Sequence, residues 1–537
     1  MSISKLHPLK KLLLLLLIAS GAMSCYKDRF DMDLLEQHGE WDPDVAVPAI
    51  YSNLSMKDIL NDYDHDNLFV ENGTNFLYLV YWNKVYSRTA QELFAFPDQN
   101  INSSYTFNVT GSLPYGFDVT AIPYTIDYAF LAPNNIIVDE IDLDTGMFSF
   151  IVNSSNLNHN ATINIAIPSA TLNGVPFSKD IDYIYGQTIN SGFNLNGYKI
   201  IFDNSGMNKN VLHITYTVTL HGNGNPNNSP YTINLGESFN GLSFSKILGD
   251  FKQTGFYLPG DSVEIRMFNS NIHGFIDFEN PMIHFYSSNS FGMPIRINLN
   301  NFHSTSGYNP PYDVAVTGIP VPWDISAAPS AGQAAIDSFH LTKSNSNVWD
   351  AVAISPQWFV TDISGMSNPS GAPASNFALA GSRFDIDAKV ELPLFGKTSD
   401  FILADTVAFK LGEDLDAAEY IDFRINTTNG FPVDATIQLY FMDKFNNVLD
   451  SMLTPAQQSL TAALADGSPD YLVYQSSHKL TESHFVKSRL TNLKTTEKVL
   501  VRASLKTAQS GTQIVKFYSF YNLEVRVGVR AKFNVIY

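Results

Sequence analysis

The chain has 537 residues and a formal net charge of −19, from 33 Lys and Arg against 52 Asp and Glu. That surplus of acid argues against nucleic acid and anionic lipid surfaces as partners, since both demand a basic footprint. Only 16% of residues are charged, whereas 38 Phe and 26 Tyr stand among many small polar residues, a mixture that favours strands over helices.

The first 25 residues read as an address. Lys5, Lys10 and Lys11 form a basic head, Leu12 to Leu17 is an unbroken leucine run, and Gly21-Ala22-Met23-Ser24 is mostly small. This is the order of a secretory signal peptide. The apolar run is too short for a membrane span, which needs ~20 residues. Cys25 follows at once and is the only cysteine, so no intrachain disulfide forms. Ala22-Met23-Ser24-Cys25 resembles the lipobox of bacterial lipoproteins, with Ala22 where Leu is usual. The resemblance implies cleavage before Cys25 and lipid on its sulfur and amine. Several acyl chains hold a protein stably, at ~0.8 kcal/mol per buried methylene.

Tyr26-Lys27-Asp28-Arg29-Phe30-Asp31-Met32-Asp33 comes next. It resembles the short Lys/Asp-rich export signal that follows the lipidated cysteine in Bacteroidota surface lipoproteins. The resemblance implies an outer-membrane lipoprotein, anchored to that membrane by lipid and displayed on the surface in preference to the periplasm.

The rest divides by turn signals. Residues 1–24 are the signal peptide and 25–47 the tether. Residues 48–104 form an N-terminal segment, with a short helix over Ser55–Leu60 and then strands. Residues 105–222 form a first β unit, ending in the alternation Ile214, Tyr216, Val218, Leu220. The Gly/Asn/Pro-rich stretch 222–230 marks a boundary. A second β unit covers 231–400, with a Pro/Ala/Ser-rich loop region at 310–346, and a third covers 401–537. One helix is expected near Glu482–Leu493 with Thr481 as N-cap, and a weaker one from Thr454-Pro455 to near Gly467. Leu523 to Val535 alternates without a break, which makes it a long antiparallel strand with one wet face. Arg526, Arg530 and Lys532 on that wet face argue against a membrane barrel, at ~2–4 kcal/mol each near the bilayer midplane. About 510 mature residues exceed a single core. The fold class is therefore mainly β: two to four antiparallel sandwich-like domains with few short helices, or alternatively one elongated, continuous twisted sheet.

A pattern of strand, Asn/Ser/Thr turn, strand recurs around Asn153-Ser154-Ser155, Ser288-Asn289 and Asn426-Thr427-Thr428. It is consistent with three related β domains or with hairpins common to any β-rich chain. It resembles, over some 20 residues each time, the Asn-Pro hairpins of desiccation-type β-sandwiches, too short a match to imply a function.

Signatures of chemistry are sparse. Asp62, Asp64 and Asp66 alternate like calcium ligands, but Asn67 and Gly73 stand where an EF-hand needs Gly and Glu, so this is a weak calcium candidate beside an acidic loop. Asp142-Leu143-Asp144-Thr145-Gly146 reads as a turn. Gly260-Asp261-Ser262 resembles the nucleophile block of GDS-type esterases, yet it lies mid-chain in β context with no Asp-x-x-His near the end, so no Ser–base–acid set assembles. The histidines lack metal-ligand spacing, and no cofactor motif is present, so no cofactor or metal is assigned. Trp323, Trp349 and Trp358 lie close in sequence and are candidates for stacking on a glycan, although large rings are more often core. Asp261-Ser262-Val263, Asp405-Thr406-Val407 and Asp450-Ser451-Met452 resemble Bacteroidota O-glycosylation sites, which implies exposed turns at Ser262, Thr406 and Ser451. The sequence thus leads to a non-enzymatic, lipid-anchored binding or assembly component. Its partner is an envelope protein or an extracellular glycan, with glycan binding or cleavage as the alternative function. A glycosidase would need two carboxylates facing across a cleft.

Overall fold

The computed structural model describes residues 40–41, 44–57, 67–71, 73–269, 275–307, 311–399, 401–410, 418–453, 458–467, 469–533 and 535–536. The leader, Cys25, most of the tether and the Asp62/Asp64/Asp66 run lie outside them. The fold is mainly β and antiparallel, with a few short helices.

Three sandwiches share one strand plan. In the third, one sheet runs Ser477–Val486, Ala418–Asn429, Asn522–Phe533, Asp44–Ser55, and the facing sheet runs Phe401–Ala408, Lys498–Thr507, Val433–Met442, with Val448–Ser451 and Gln458–Leu460 on the last. The second repeats this: Ala335–Leu341, Met282–Asn289, Arg383–Pro393, Leu77–Thr89 in one sheet, and Gly255–Glu264, Trp358–Ser367, Ile295–Thr305 in the other. The first follows the same order: Ile189–Asn194, Ile137–Asn153, Tyr231–Asp250, Gln99–Phe107, facing Tyr124–Ala129, Val211–His221, Asn160–Leu172. Here Lys199–Ile201 pairs with both Ile137–Asn153 and Asn160–Leu172 and so joins the two layers.

The lead strand of each sandwich comes from the N-terminal segment, in reverse order. Asp44–Ser55 pairs with Asn522–Phe533, Leu77–Thr89 with Arg383–Pro393, and Gln99–Phe107 with Tyr231–Asp250. The chain therefore climbs through the third and second units with one strand each, builds the first, and descends to complete the others. Glu40–Trp41 and Val535–Ile536 pair where it began. Short strands join the units. Asn376–Leu379 pairs with the end of Tyr231–Asp250, and Phe395–Ser399 pairs with both Phe275–Phe278 and Val515–Lys516.

This corrects several expectations. Residues 48–104 are no separate segment, because each of their long strands finds its hydrogen-bonding partner in a different sandwich. Asp44 to Val47 belong to a strand and not to the tether. The Gly/Asn/Pro stretch 222–230 lies inside the first sandwich, since the strand after it pairs with Ile137–Asn153. Asn side chains fix that stretch: the Nδ2 atoms of Asn223 and Asn225 donate to Asn158 O at 3.0 and 2.9 Å, and Asn227 Nδ2 donates to Val109 O at 2.7 Å. The 310–346 region carries three strands, Asp313–Ala315, Trp323–Ile325 and Ala335–Leu341. Thr481 sits within the strand Ser477–Val486, and only Lys487–Leu490 and Thr491–Leu493 are helical. That edge strand is polar on both faces, so its period is hidden. Met56 and Lys57 are helical directly after the strand that ends at Ser55, in line with the short helix expected there, and 58–60 lie outside the described residues. Gln458–Leu460 and Leu464–Ala465 are strands, while the expected helix start at Thr454-Pro455 lies outside the described residues. Asp142 to Gly146 lie within Ile137–Asn153 rather than in a turn.

The recurring Asn motif is an arch between sheets, because the strands on either side of it enter opposite layers. Asn289 and Asn429 are both fully buried. Asn429 Nδ2 donates to Val433 O at 2.8 Å and Thr461 O at 3.0 Å, and its Oδ1 accepts from Phe431 N at 3.0 Å. Asn289 makes the same set with Met293 O (2.9 Å), Ser326 O (2.9 Å) and Phe291 N (3.0 Å). Phe291 and Phe431 then plug the core at 0% exposure.

Each core lies between its two sheets. In Asn522–Phe533, Leu523, Val525, Val527, Val529 and Ala531 are buried while Arg526 and Arg530 face solvent, as the alternation requires. A fully buried aliphatic contributes about 1.5–3 kcal/mol. The first core also holds a carboxyl: Glu237 is 1% exposed and accepts from the Tyr216 hydroxyl and from Ser103. Its Oε2 has no partner, and burial raises its pKa above the carboxylate norm.

Candidate functional site

Where the sequence singled out tryptophans, the structure does not gather them on a surface. Trp323 is 5% exposed, packs edge-on against Phe339 and donates its indole N–H to Asp337 at 2.9 Å. It occupies an inward position of its strand, so its ring cannot stack on a glycan. Trp349 lies in the short helix Val348–Ala353, half-covered, with the Lys343 ammonium 4.9 Å from its ring centroid. Trp358 begins a strand and is partly exposed. The three form no common platform.

The glycosylation candidates also differ from expectation, for none is on a turn. Ser262 lies in Gly255–Glu264, Thr406 in Phe401–Ala408 and Ser451 in Val448–Ser451, all at sheet edges. Thr406 is exposed, and the other two are half-buried. The strand placement of Asp261-Ser262 also removes the esterase reading, because Asp261 is spent on the Ser262 backbone N–H at 2.7 Å. Among the described residues no group of three His, Cys, Asp or Glu is placed to hold a metal.

A different aromatic surface does form, on the outer face of the second sandwich. The lead strand Leu77–Thr89 buries Leu77, Leu79 and Tyr81 and turns Tyr78, Val80 and Trp82 outward. Trp82 is 57% exposed. Lys389 lies opposite it on the next strand, His284 beyond that, and His340 last. The Trp82 ring leans onto Tyr286, with centroids 5.3 Å apart and planes 11° off parallel. His284 continues the stack at 6.1 Å and 17°, and its Nδ1 is 2.7 Å from His340 Nδ1, with one ring donating to the other.

One side of Trp82 is thus covered. Its ring also borders an open groove of about 590 Å³ lined by Phe69, Glu71, Tyr78, Val80, Lys389 and Glu391. Phe69, 52% exposed, meets Tyr78 edge-on at 6.3 Å, and Tyr78 meets Phe76 at 4.7 Å. The groove therefore has aromatic walls, an aliphatic floor at Val80 and a charged border. Lys389 Nζ pairs with Glu391 Oε2 at 2.6 Å, and Glu71 accepts from the Thr74 hydroxyl at 2.5 Å. Burial, with the Glu71 and Glu391 charges, raises the Tyr78 phenol pKa and keeps it a neutral donor. Burial and the neighbouring His340 depress the His284 pKa, against the opposing pull of Glu391. Rings beside hydrogen-bonding groups suit a ligand with one apolar face and a polar rim. Each groove carboxylate is already engaged by a neighbour, which suits holding a ligand better than passing a proton.

The sequence reading missed this site. Trp82 was legible only as part of a strand. Its partners come from residues some 200–310 positions away, brought alongside by the nested pairing of Leu77–Thr89 with Arg383–Pro393. The outward period of Tyr78, Val80 and Trp82 was the available signal.

No family model matches the chain, and no curated protein matches it. Similar solved structures include a Parabacteroides distasonis protein assigned as secreted, at 13% identity and TM-score 0.31, covering 54% of this chain and 89% of that one. The PBSX exported protein XepA matches at 8% identity and TM-score 0.13, over 54% of this chain and 86% of that one. The tandem CBM22-1–CBM22-2 domain of Paenibacillus barcinonensis Xyn10C matches at 8% identity and TM-score 0.14, over 58% and 98%. At these TM-scores no fold, location or activity transfers from them to this chain.

Proposed function

We propose that this protein is a non-enzymatic lipoprotein, tethered to the outer membrane through Cys25, that captures saccharide chains in the groove beside Trp82. The observation that carries the reading is the half-exposed Trp82 ring, backed by Tyr286 on one side and open to a groove with Lys389, Glu391 and Glu71 on the other. A pyranose presents C–H groups on its faces and hydroxyls around its edge. The Trp82 face suits the first, and the charged border suits the second. Pre-stacking on Tyr286 lowers the ordering cost of binding.

The test is affinity electrophoresis of the protein in gels containing starch, xylan, mannan or mucin glycans. Retardation by at least one polymer is expected. Trp82 exposes about 140 Å² if its full area is near 250 Å², and a sugar covering half of that removes ~70 Å² from water, about 1.8 kcal/mol or twentyfold in affinity. Trp82→Ala is therefore expected to abolish most of the retardation, while Trp358→Ala leaves it intact. No retardation in any gel, or equal retardation of both variants, overturns the assignment.

A further inference from the structure

The aromatic surface beside Trp82 does not stop at the rim of its groove. Phe76 continues the outward alternation of Trp82, Val80 and Tyr78, and it forms a bridge with Tyr518, so the Tyr518 side chain shares that face. The rings meet in turn, Tyr78 to Phe76 at 4.7 Å and Phe76 to Tyr518 at 5.7 Å. Phe520 then lies on Tyr518, with centroids 5.6 Å apart and planes 25° off parallel. Phe76 and Tyr518 are buried, whereas Phe520 is 55% exposed. Phe520 thus repeats the device found at Trp82: an open ring set against a second ring that fixes its tilt.

The joint between the second and third sandwiches holds the two open rings in one frame. Phe517 N donates to Leu394 O at 2.9 Å, Leu77 N to Phe517 O at 3.3 Å and Ser519 N to Asn75 O at 2.9 Å. The Tyr518 hydroxyl donates to Asp470 O at 2.6 Å. Between the rings the surface is polar. Burial, then the Asp470 and Glu71 charges, raise the Tyr518 phenol pKa, as burial, Glu71 and Glu391 raise that of Tyr78, which sets Glu71 between the two. Thr74 and Asn75 are exposed on the same turn, and the half-exposed Phe69 stands opposite Tyr78. Six strand residues at about 3.3 Å part Trp82 from Phe76, and the two ring steps beyond add up to about 11 Å, so the open rings stand roughly 20–30 Å apart, the length of about four to six pyranose units.

We infer that the Trp82 groove and Phe520 form one binding track, which takes a linear saccharide chain along its length and reaches across the joint from the second sandwich to the third. This rests on the saccharide reading of the groove and adds the form of the ligand: an extended chain, gripped at two separated rings, and not a single terminal sugar. Open rings suit the C–H faces of the sugars at either end, and the polar stretch between suits the hydroxyls of those in the middle. Because the joint fixes both rings, the second contact forms within the complex once the first is made, with no further ordering of the protein.

The test is titration calorimetry of the full chain with a trisaccharide, too short to touch both rings, and a hexasaccharide, long enough to do so. The series is malto-, xylo- or manno-oligosaccharide, according to whether starch, xylan or mannan retards the protein. Phe520 exposes about 110 Å² if its full area is near 200 Å², and a sugar covering half of that removes ~55 Å² from water, about tenfold in affinity. The hexasaccharide is therefore expected to bind about tenfold more tightly than the trisaccharide. Phe520→Ala should remove that gain and keep the wild-type affinity for the trisaccharide, which also reports that the variant is folded. Equal affinity for both chain lengths, a variant that binds the hexasaccharide like its parent, or retardation by mucin glycans alone overturns the inference and leaves the Trp82 groove standing as a saccharide site. A variant weakened alike for both lengths also overturns it, by placing Phe520 in the fold and not in the track. Retardation by no polymer overturns the saccharide reading itself, so the two failures are told apart.

Discussion

Replacing Asn429 by Ala is a direct trial of the arch that shapes these sandwiches. The Asn429 amide ties the two strands that part into opposite layers, and it does so with three bonds. Two of the partners, Val433 O and Phe431 N, are buried, whereas Thr461 O is only partly so. In Asn429→Ala the two buried groups lose their partners, at about 1–3 kcal/mol each, and the third turns to water. The expected loss is about 3–4 kcal/mol. Urea unfolding followed by intrinsic fluorescence measures it, as a fall in midpoint at unchanged slope. Asn289→Ala should cost the same within about 1 kcal/mol, because its three bonds are of the same kind and length. A loss below 1 kcal/mol in both variants would refute the claim that the buried amide sets the arch.

Gly365 faces Phe256 so closely that a Cβ there would lie 2.1 Å from the ring, which itself stacks on Tyr86 at 4.9 Å. Gly365→Ala should therefore cost about 1–3 kcal/mol through overpacking, read as a lowered thermal midpoint. Glu237 has its folded pKa raised above 4.5 by burial, so its contribution is complete below the unfolded value and is lost as pH rises through the folded one. Glu237→Gln should match the wild type at pH 4 and exceed it in stability at pH 8, and equal stability at both would contradict the buried-acid picture. His284 has its folded pKa held below 6.5 by burial and by His340. Its contribution is present above that value and lost as pH falls. Saccharide retention should weaken on acidification as the protonated ring repels His340 and loosens the stack under Tyr286, and His284→Gln should flatten that pH profile.

The sequence disclosed what alternation writes plainly. Leu523 to Ala531 bury every second residue, and the mainly β fold follows from such runs. Turn signals misled in two ways: some, such as Asp142 to Gly146, lie inside strands, and others mark turns whose place in the fold is set elsewhere. The Asn289 and Asn429 motifs looked like hairpins because a local pattern does not say whether the next strand pairs with its predecessor or crosses to the facing sheet. The Gly/Asn/Pro stretch after His221 looked like a linker because its role depends on Asn158, some 65 residues earlier, which accepts its amide bonds. The nested lead strands were invisible for the same reason. Asp44–Ser55 pairs with residues more than 460 positions on, and nothing in its own composition names that partner. The groove inherits this, since Trp82, Glu391 and Tyr286 meet only through such pairing. Trp323, by contrast, was singled out on composition, and its inward strand position removes it.

Because the chain holds five tryptophans, fluorine NMR of protein labelled with 5-fluorotryptophan gives each indole its own resonance, with Trp82 assigned through Trp82→Phe. Adding a short oligosaccharide cut from whichever polymer retards the protein should move the Trp82 signal and leave those of Trp323, Trp349 and Trp358 in place. Movement of the Trp349 or Trp358 signal with Trp82 unchanged would contradict the account and put the ligand on a different face.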